Sequence, residues 1–157
     1  MKSIETSRHS RSKGQNRIES HGLEIIYPER LSLTSIVVKS DFMITIRPIK
    51  PDEIPAAKRV LLTVAYNIFG FDGTLEDSIH HYEAVGRLKD MDEVQSHYFD
   101  KNGIFLVALN DEQVIGSAAL RRLDNETAEL KRMWLLEMYH GQGIGYCLIR
   151  QLIDFAH

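Results

Sequence analysis

Three glycines at alternate positions, Gly141, Gly143 and Gly145, stand between a predicted strand and a predicted helix and constrain the fold more than any other feature. Glycine lets a backbone turn sharply and approach an anion without interference from a Cβ atom. The apolar periodicity of the following helix starts at Ile144, so its first turn presents unpaired N–H groups and the positive end of the helix dipole. Spacing alone leaves two interpretations: a phosphate-binding turn, or a tight connection between strand and helix.

Two common phosphate-binding patterns do not describe this loop. No Gly-Lys-Ser/Thr sequence follows it, and the strand before it belongs to a predicted antiparallel meander, not to a βαβ unit. Hydrophobic periodicity predicts the surrounding elements, and an uninterrupted apolar run predicts one strand buried on both faces. The predicted strands are 43–48, 104–109 (the apolar run), 114–121 and 128–136, and the main helices are 54–68, 75–85 and 144–155. A polar turn at 110–113 predicts a hairpin, and Thr74, followed three residues later by Asp77, resembles a capping box at the start of the second helix.

The composition of the 157-residue chain excludes several classes of protein. Nineteen Lys and Arg residues against 22 Asp and Glu residues give a net charge of −3, which provides no electrostatic footprint for nucleic acid. No apolar run approaches the roughly 18 to 20 residues of a membrane span. Cys147 is the only cysteine, so no intrachain disulfide is possible. A cytoplasmic location and a small-molecule or protein partner are therefore expected.

Residues 1 to 42 differ in composition from the rest of the chain. Up to Arg17 they are mostly Ser, Arg, Lys, His and Gln, and Ile4 is the only large apolar residue after Met1. Such a segment buries too little apolar surface to offset its ordering entropy, and it lacks the apolar face of a transit peptide. We expect a disordered or weakly structured N-terminal extension, although residues 31–38 could form a short strand. The domain is expected to begin at Met43.

The segment AELKRMWLL at 128–136, followed by YHGQGIG at 139–145, resembles the acetyl-CoA motif of the GNAT N-acetyltransferase superfamily. The family pattern is Arg or Gln, two residues, Gly, one residue, then Gly or Ala. Gly143 and Gly145 match this pattern, whereas His140 stands where the family has Arg or Gln. The order of elements upstream agrees as well, so the resemblance covers residues 43 to 157. It implies a GNAT-type α/β fold with a mixed, mostly antiparallel sheet flanked by helices.

The resemblance also implies roles for individual residues, with acetyl-CoA as co-substrate. Backbone N–H groups of the glycine loop would hold the CoA pyrophosphate, and the end of the strand would pair with pantetheine. Glu129 is the candidate general base, taking a proton from the acceptor amine through water. Its alternative is a surface carboxylate paired with Lys131 or Arg132. The expected CoA-binding residues are Leu135, Leu136, His140, Gly141, Gln142, Gly143, Ile144 and Gly145.

The implied function is transfer of acetyl from acetyl-CoA to a primary amine of a small molecule or peptide, without a nucleic acid or membrane partner. The acceptor is not specified. The family's fold continues after the motif helix with a further strand, a helix and a closing hairpin, so the chain is expected to be a truncated member. The alternative is a catalytically inactive fragment that binds CoA weakly or forms homo-oligomers through an exposed sheet edge.

Three other residues or pairs have simpler interpretations. His80 and Glu83 share one face of a predicted helix, but two ligands do not make a metal site, and no metal is expected. Cys147 has no His and Asp arrangement tied to it and is expected to be a small buried residue. Trp134 is expected to pack in the core.

Overall fold

The computed structural model describes residues 15–20, 23–28, 36–39 and 43–156, with side chains described for 43–156. The strands of this part form one sheet in chain order. They are β1 (Gln15–Ser20), β2 (Leu23–Pro28), β3 (Ile36–Lys39), β4 (Met43–Pro48), β5 (Ile104–Asn110), β6 (Gln113–Arg122) and β7 (Ala128–Leu135). The α-helices of the same part are α1 (Ile54–Phe69), α2 (Leu75–Ala84), α3 (Lys89–Asp92), α4 (Val94–His97) and α5 (Ile144–Ala156).

Every neighbouring pair of these strands is antiparallel. Antiparallel strands need only short turns, and β5 and β6 form the predicted hairpin with a turn at 110–113. Helix α1 covers one face of the sheet, and α5 covers the other. The expected α/β architecture, a mostly antiparallel sheet flanked by helices, is confirmed.

Strand β5 separates two hydrophobic cores, because its first six residues are all buried. Successive side chains of a strand point to opposite faces, so each face receives every second residue. Ile104, Leu106 and Ala108 pack in the core under α5, and Phe105, Val107 and Leu109 pack in the core under α1. The prediction of a strand buried on both faces is therefore confirmed.

A buried lysine ties the first three helices together. Lys58 of α1 places Nζ 3.4 Å from Glu83 Oε1 of α2 and also contacts the carboxylate of Asp92 in α3. Helix α2 begins with the predicted capping box, in which the Asp77 N–H donates to Thr74 Oγ1 at 3.2 Å and the Thr74 N–H donates to Asp77 Oδ2 at 2.8 Å. Within the described ranges, no helix is both long enough and apolar enough to cross a bilayer.

Three strands lie in the segment for which we expected a disordered or weakly structured extension. β1 pairs with β2, β2 with β3, and β3 continues the sheet along the edge of β4. An edge strand offers unpaired N–H and C=O groups, and pairing with them can order a segment of low apolar content. Residues 1–14, 21–22, 29–35 and 40–42 lie outside the described residues, and the domain boundary before Met43 stays a prediction.

Candidate functional site

The end of β7 is held to the sheet by main-chain hydrogen bonds. The Leu136 N–H donates to Ile115 O of β6 at 2.9 Å, and Leu136 O accepts from the Tyr139 N–H at 3.0 Å. Tyr139 is buried, and its hydroxyl accepts from Asn110 Nδ2 at 3.1 Å. These contacts fix where the glycine loop starts relative to the β5–β6 hairpin.

The glycine loop makes a left-handed turn at two of its glycines. Gly141 has a φ of 76° and Gly143 a φ of 74°, a region in which residues with a Cβ atom are disfavoured. Helix α5 follows at once, and the Cys147 N–H donates to Gly143 O at 3.0 Å. The N–H groups of the first helical turn have no partner within the helix, so the turn presents them as donors. Buried Ile144 anchors this helix end on the sheet.

Gly145 lies inside α5, and its backbone conformation does not require glycine. A Cβ atom at this position would lie 3.4 Å from Met133 Cε, the flexible end of a β7 side chain. An added Cβ atom would thus make an ordinary van der Waals contact with β7, whereas Gly141 and Gly143 adopt the left-handed backbone of the turn itself.

His140 contacts the strand that precedes the loop. Its Nε2 lies 2.9 Å from Leu135 O, and because a carbonyl oxygen only accepts, the proton of this contact is on Nε2. Gln142 Nε2 donates to Met138 O at 3.4 Å. Both side chains thus contact the main chain of the segment before the loop.

The two leucines expected to pair with pantetheine are not equivalent. Both backbone groups of Leu136 bond within the protein, as described above. Leu135 lies opposite Gly116, next to the hydrogen-bonded pair of Leu136 and Ile115. Because hydrogen-bonded and non-hydrogen-bonded pairs alternate along an antiparallel ladder, the N–H of Leu135 points away from β6. The outward N–H of Leu135 therefore suits pairing with a ligand strand, whereas the Leu136 N–H is already bonded to Ile115 O. Both leucines stay predicted CoA-binding residues.

A β-bulge interrupts the middle of β7. The register with β6 shifts between Ser117 and Ala119, so that Ala118 faces both Arg132 and Met133. Arg132 has a φ of 54°, and its carbonyl accepts from the Oγ of the fully buried Ser117 at 2.8 Å. Bulges are frequent next to active sites, where they change the direction of a strand or a side chain. The sequence carries no signal for this one, because arginine is not a residue that favours left-handed backbone.

The Arg132 guanidinium holds the bulge to helix α3. Nε donates to Asp90 Oδ2 at 3.0 Å, while Nη2 contacts Oδ1 of the same carboxylate and donates to Arg87 O at 2.9 Å. Tyr98 Oη donates to Asp90 Oδ2 at 2.5 Å. Burial alone would raise the pKa of the Asp90 carboxyl, but hydrogen bonds from Arg132 and Tyr98 outweigh it and hold that pKa below its ordinary value.

Glu129 forms an ion pair with a residue that we did not predict. Its Oε2 lies 2.7 Å from Arg121 Nη2, directly across the ladder, and the two side chains are 41% and 38% exposed. Lys131 and Arg132, the partners considered from sequence, lie next to Asp90 instead, with Lys131 Nζ 4.0 Å from Asp90 Oδ2. The prediction of either partner was wrong, because a pairing across strands depends on a register that the sequence does not state.

Aromatic side chains cluster between the end of α1 and helix α2. The ring centroid of Phe71 lies 6.3 Å from that of Tyr66 and 5.6 Å from that of Tyr82. The guanidinium of Arg87 lies 5.5 Å from the Tyr82 ring centroid. Since the Arg87 carbonyl also accepts from Arg132, this cluster is connected to the bulge of β7.

The remaining candidate residues have structural surroundings. Cys147 is buried, and burial raises the pKa of its thiol, which opposes a role as nucleophile. Trp134 packs against the core under α1, as predicted.

Among the residues of 43–156, no group of three His, Cys, Asp or Glu side chains is placed to hold a metal ion. A cavity of about 510 Å³ lies on the α1 face, between β4, the start of α1 and the β5–β6 hairpin.

Comparisons with known proteins agree with this geometry. Residues 71–157 match the family described as Acetyltransferase (GNAT) family. The chain is similar to N-acetylaspartate synthetase of Danio rerio, with 39% identity over 69 residues, which are 43% of this chain and 24% of that protein. The matched part therefore spans about a quarter of the curated relative.

Two solved structures show the same fold. One is an acetyltransferase of the GNAT family from Staphylococcus aureus Mu50, with a TM-score of 0.58 and 23% identity over 72% of this chain and 65% of that chain. The other is the PaiA N-acetyltransferase from Thermoplasma acidophilum in complex with coenzyme A, with a TM-score of 0.56 and 23% identity over 72% of this chain and 71% of that chain. Because the family match covers more than half of the residues, the chain belongs to the acetyltransferase (GNAT) family.

Proposed function

We propose that this protein transfers acetyl from acetyl-CoA to a primary amine. The observation that carries the proposal is the left-handed backbone of Gly141 and Gly143 immediately before the first turn of α5. That arrangement directs several N–H groups and the positive end of a helix dipole to one point, which suits a pyrophosphate. The solved structure of PaiA, which contains coenzyme A, shares this fold.

The loop and the strand have separate tasks in binding the co-substrate. The N–H groups of Gln142, Gly143, Ile144 and Gly145 hold the pyrophosphate, with Gly141 providing the turn and His140 bonding to the strand. Leu135 offers its outward N–H to the pantetheine arm as an added strand would. The arm then runs along β7 toward the bulge at Arg132, which sets the position of the thioester.

Glu129 is the proposed general base. It lies on β7 beyond the bulge, paired with Arg121 and accessible to solvent. A carboxylate in this position can take the proton of an ammonium group through a water molecule, which leaves the free amine to attack the thioester carbonyl. As the C–N bond forms, the C–S bond breaks, and the leaving CoA thiolate takes up the proton that the acceptor nitrogen loses. The ion pair with Arg121 keeps the Glu129 side chain in one orientation.

The acceptor that the surroundings favour is a small amine that carries a carboxylate. Lys131 places a basic group beside the bulge, near Asp90, and Arg121 places one at Glu129. The Arg87 guanidinium adds a third at the Tyr82 ring, in the aromatic cluster connected to the bulge through the Arg87 carbonyl. Guanidinium and ammonium groups recognise carboxylates by charge-assisted hydrogen bonds. The similarity to a protein named N-acetylaspartate synthetase points to the same class of acceptor.

An assay with a panel of amines tests this function. The chain is incubated with acetyl-CoA and aspartate, with spermidine, or with an uncharged primary amine, while thiol release and product mass are recorded. We expect N-acetylated product, formed fastest from aspartate. Turnover with spermidine alone would support acetyl transfer but would reject an acceptor that carries a carboxylate. CoA binding without turnover on any amine would favour the inactive, CoA-binding alternative, and absence of CoA binding would reject the proposal.

A further inference from the structure

We propose that Asp90 is a positioning residue for acetyl transfer, acting through Arg132 to keep the bulge of β7 in its observed conformation. The proposal rests on the proposed function, since it assigns the bulge to placing the thioester. It concerns a residue of α3 that lies outside the glycine loop and contacts neither of the expected ligand-binding leucines. Its role would be to hold the strand, not to touch substrate.

The bulge conformation needs support from outside the strand. Arg132 carries a Cβ atom at a φ of 54°, and left-handed backbone brings the Cβ atom of such a residue too close to the following carbonyl oxygen. A conformation of this kind persists only where surrounding contacts over-determine it. The contacts that stabilise Arg132 therefore decide whether β7 keeps this shape.

Two sets of contacts act on the two ends of the residue. The carbonyl of Arg132 accepts from Ser117 Oγ at 2.8 Å, and Ser117 is fully buried in β6. The guanidinium reaches in the other direction, to both carboxylate oxygens of Asp90 and to Arg87 O. The backbone is thus fixed by the sheet, and the side chain by α3 and the connection that precedes it.

Asp90 is itself held rigidly. Its side chain is 13% exposed, and Tyr98, which is fully buried, donates a hydrogen bond of 2.5 Å to it. The neighbours Leu88 and Met91 are buried in the core under α1. A carboxylate fixed in this way gives the guanidinium a single bidentate position, which is the strongest geometry available to an Arg–carboxylate pair.

This arrangement predicts that loss of the Asp90 charge affects the chemical step more than CoA binding. The pyrophosphate donors lie in the glycine loop and α5, and none of them contacts Asp90 or Arg132. The thioester, by contrast, would lie where the bulge sets the strand direction. Misplacement of reacting groups by a fraction of an ångström lowers the rate steeply while binding is retained.

The test is a double-mutant cycle with Asp90→Asn and Arg132→Gly. Asparagine keeps the shape of Asp90 and loses its charge, whereas glycine removes the guanidinium and leaves the backbone at position 132 free to depart from the left-handed region. Each single variant should lower kcat about tenfold or more, with the CoA dissociation constant changed by less than about twofold. The double variant should be no slower than either single variant, since both act on one contact. Asp100→Asn, an exposed carboxylate bonded to Gln95, is the matched control.

Amide hydrogen exchange provides a readout that does not depend on activity. In Asp90→Asn, exchange at Arg132 and Met133 should be about tenfold faster than in the Asp100→Asn control, with exchange in α5 unchanged. Unchanged exchange together with unchanged kcat would overturn the proposal. A double variant whose loss of kcat is the product of the two single losses would also overturn it, as would a loss of CoA affinity as large as the loss of kcat. If Asp90→Asn does not fold, the kcat and the CoA dissociation constant of Arg132→Gly still test the proposal. If the wild-type chain transfers no acetyl, the proposed function fails, and the exchange experiment separately decides whether Asp90 holds the bulge.

Discussion

At the scale of single residues, the left-handed glycine at position 143 is the most sensitive element of the site. Gly143→Val should weaken CoA binding by about tenfold or more, because a β-branched residue at a φ of 74° is strained and its side chain obstructs the pyrophosphate. Isothermal titration of CoA measures the effect. The matched control is Gly70→Val, which puts the same side chain at a left-handed glycine outside the loop, with a φ of 61° and no atom within 4 Å of the added Cβ, so its CoA affinity should remain near that of the wild type. If the wild type and both variants bound CoA with equal affinity, the loop would not be the pyrophosphate-binding site.

Glu129→Gln tests the proposed base. The substitution is nearly isosteric, so we expect the fold to be kept while kcat/KM falls by about 10²-fold near neutral pH. The loss should shrink as pH rises, because more of the acceptor amine is already deprotonated. A pH profile of kcat/KM for wild type and variant measures this, with Arg121→Gln as the variant that removes the ion pair but keeps the carboxylate. A loss that is the same at every pH would assign Glu129 to positioning.

The glycines could be predicted from the sequence because glycine is the residue that a left-handed turn selects. Arg132 could not, since its left-handed backbone is imposed by Ser117, Asp90 and Arg87 O, which are distant in the chain. The Arg121–Glu129 pair was missed for a related reason: it needs the register of two strands and not the spacing within one.

At the scale of elements, the contact between α3 and β7 makes stability depend on pH. Because the folded state holds the pKa of Asp90 below its ordinary value, Asp90 contributes stability above the unfolded pKa of about 3.9, and this contribution is lost as pH falls through the folded pKa. Asp90→Asn should therefore be less stable than wild type by roughly 1–3 kcal/mol near neutral pH.

Urea unfolding at a series of pH values checks this expectation. The difference between wild type and Asp90→Asn should be constant from about pH 7 to about pH 5 and should narrow below about pH 4. A difference that widens on acidification would mean that Asp90 is not the ionised partner of Arg132.

The hydrophobic periodicity predicted which segments are helices and strands better than it predicted where they end or where a strand is irregular. The apolar alternation of β4 and the continuous apolar run of β5 predicted both strands, and the spacing from Thr74 to Asp77 predicted the start of α2. The bulge in β7 had no counterpart in the hydrophobic pattern, because inserting one residue shifts only the register with β6.

At the scale of the whole molecule, the two cores and the site are built from the same part of the chain. Among the residues whose side chains are described, one core begins in β4 with Ile44, and the other begins directly after β4 with Ile49. A chain that starts at Met43 should therefore keep a cooperative melt and CoA affinity, while the exposed edge of β4 should increase self-association. Calorimetry and light scattering measure the two effects. Loss of the cooperative transition would show that β1–β3 are required for the fold.

Strands β1 and β2 were not predicted, and β3 overlaps the short strand considered for residues 31–38, because the pairing of these strands depends on the free edge of β4, a property of the sheet and not of the segment. Composition indicated only that this part of the chain differs from the rest. It could not indicate that β3 would continue the sheet, since backbone hydrogen bonding leaves little mark on residue type.

The N–H groups of residues 142 to 145 are the proposed donors to the CoA pyrophosphate. Titration of ¹⁵N-labelled protein with CoA, followed by amide chemical shifts, tests this binding site residue by residue. We expect the largest saturable shifts at residues 142 to 145, with a second group at Leu135 and the bulge around Arg132. Absence of saturable shifts, or shifts concentrated at the cavity between β4 and α1, would contradict it.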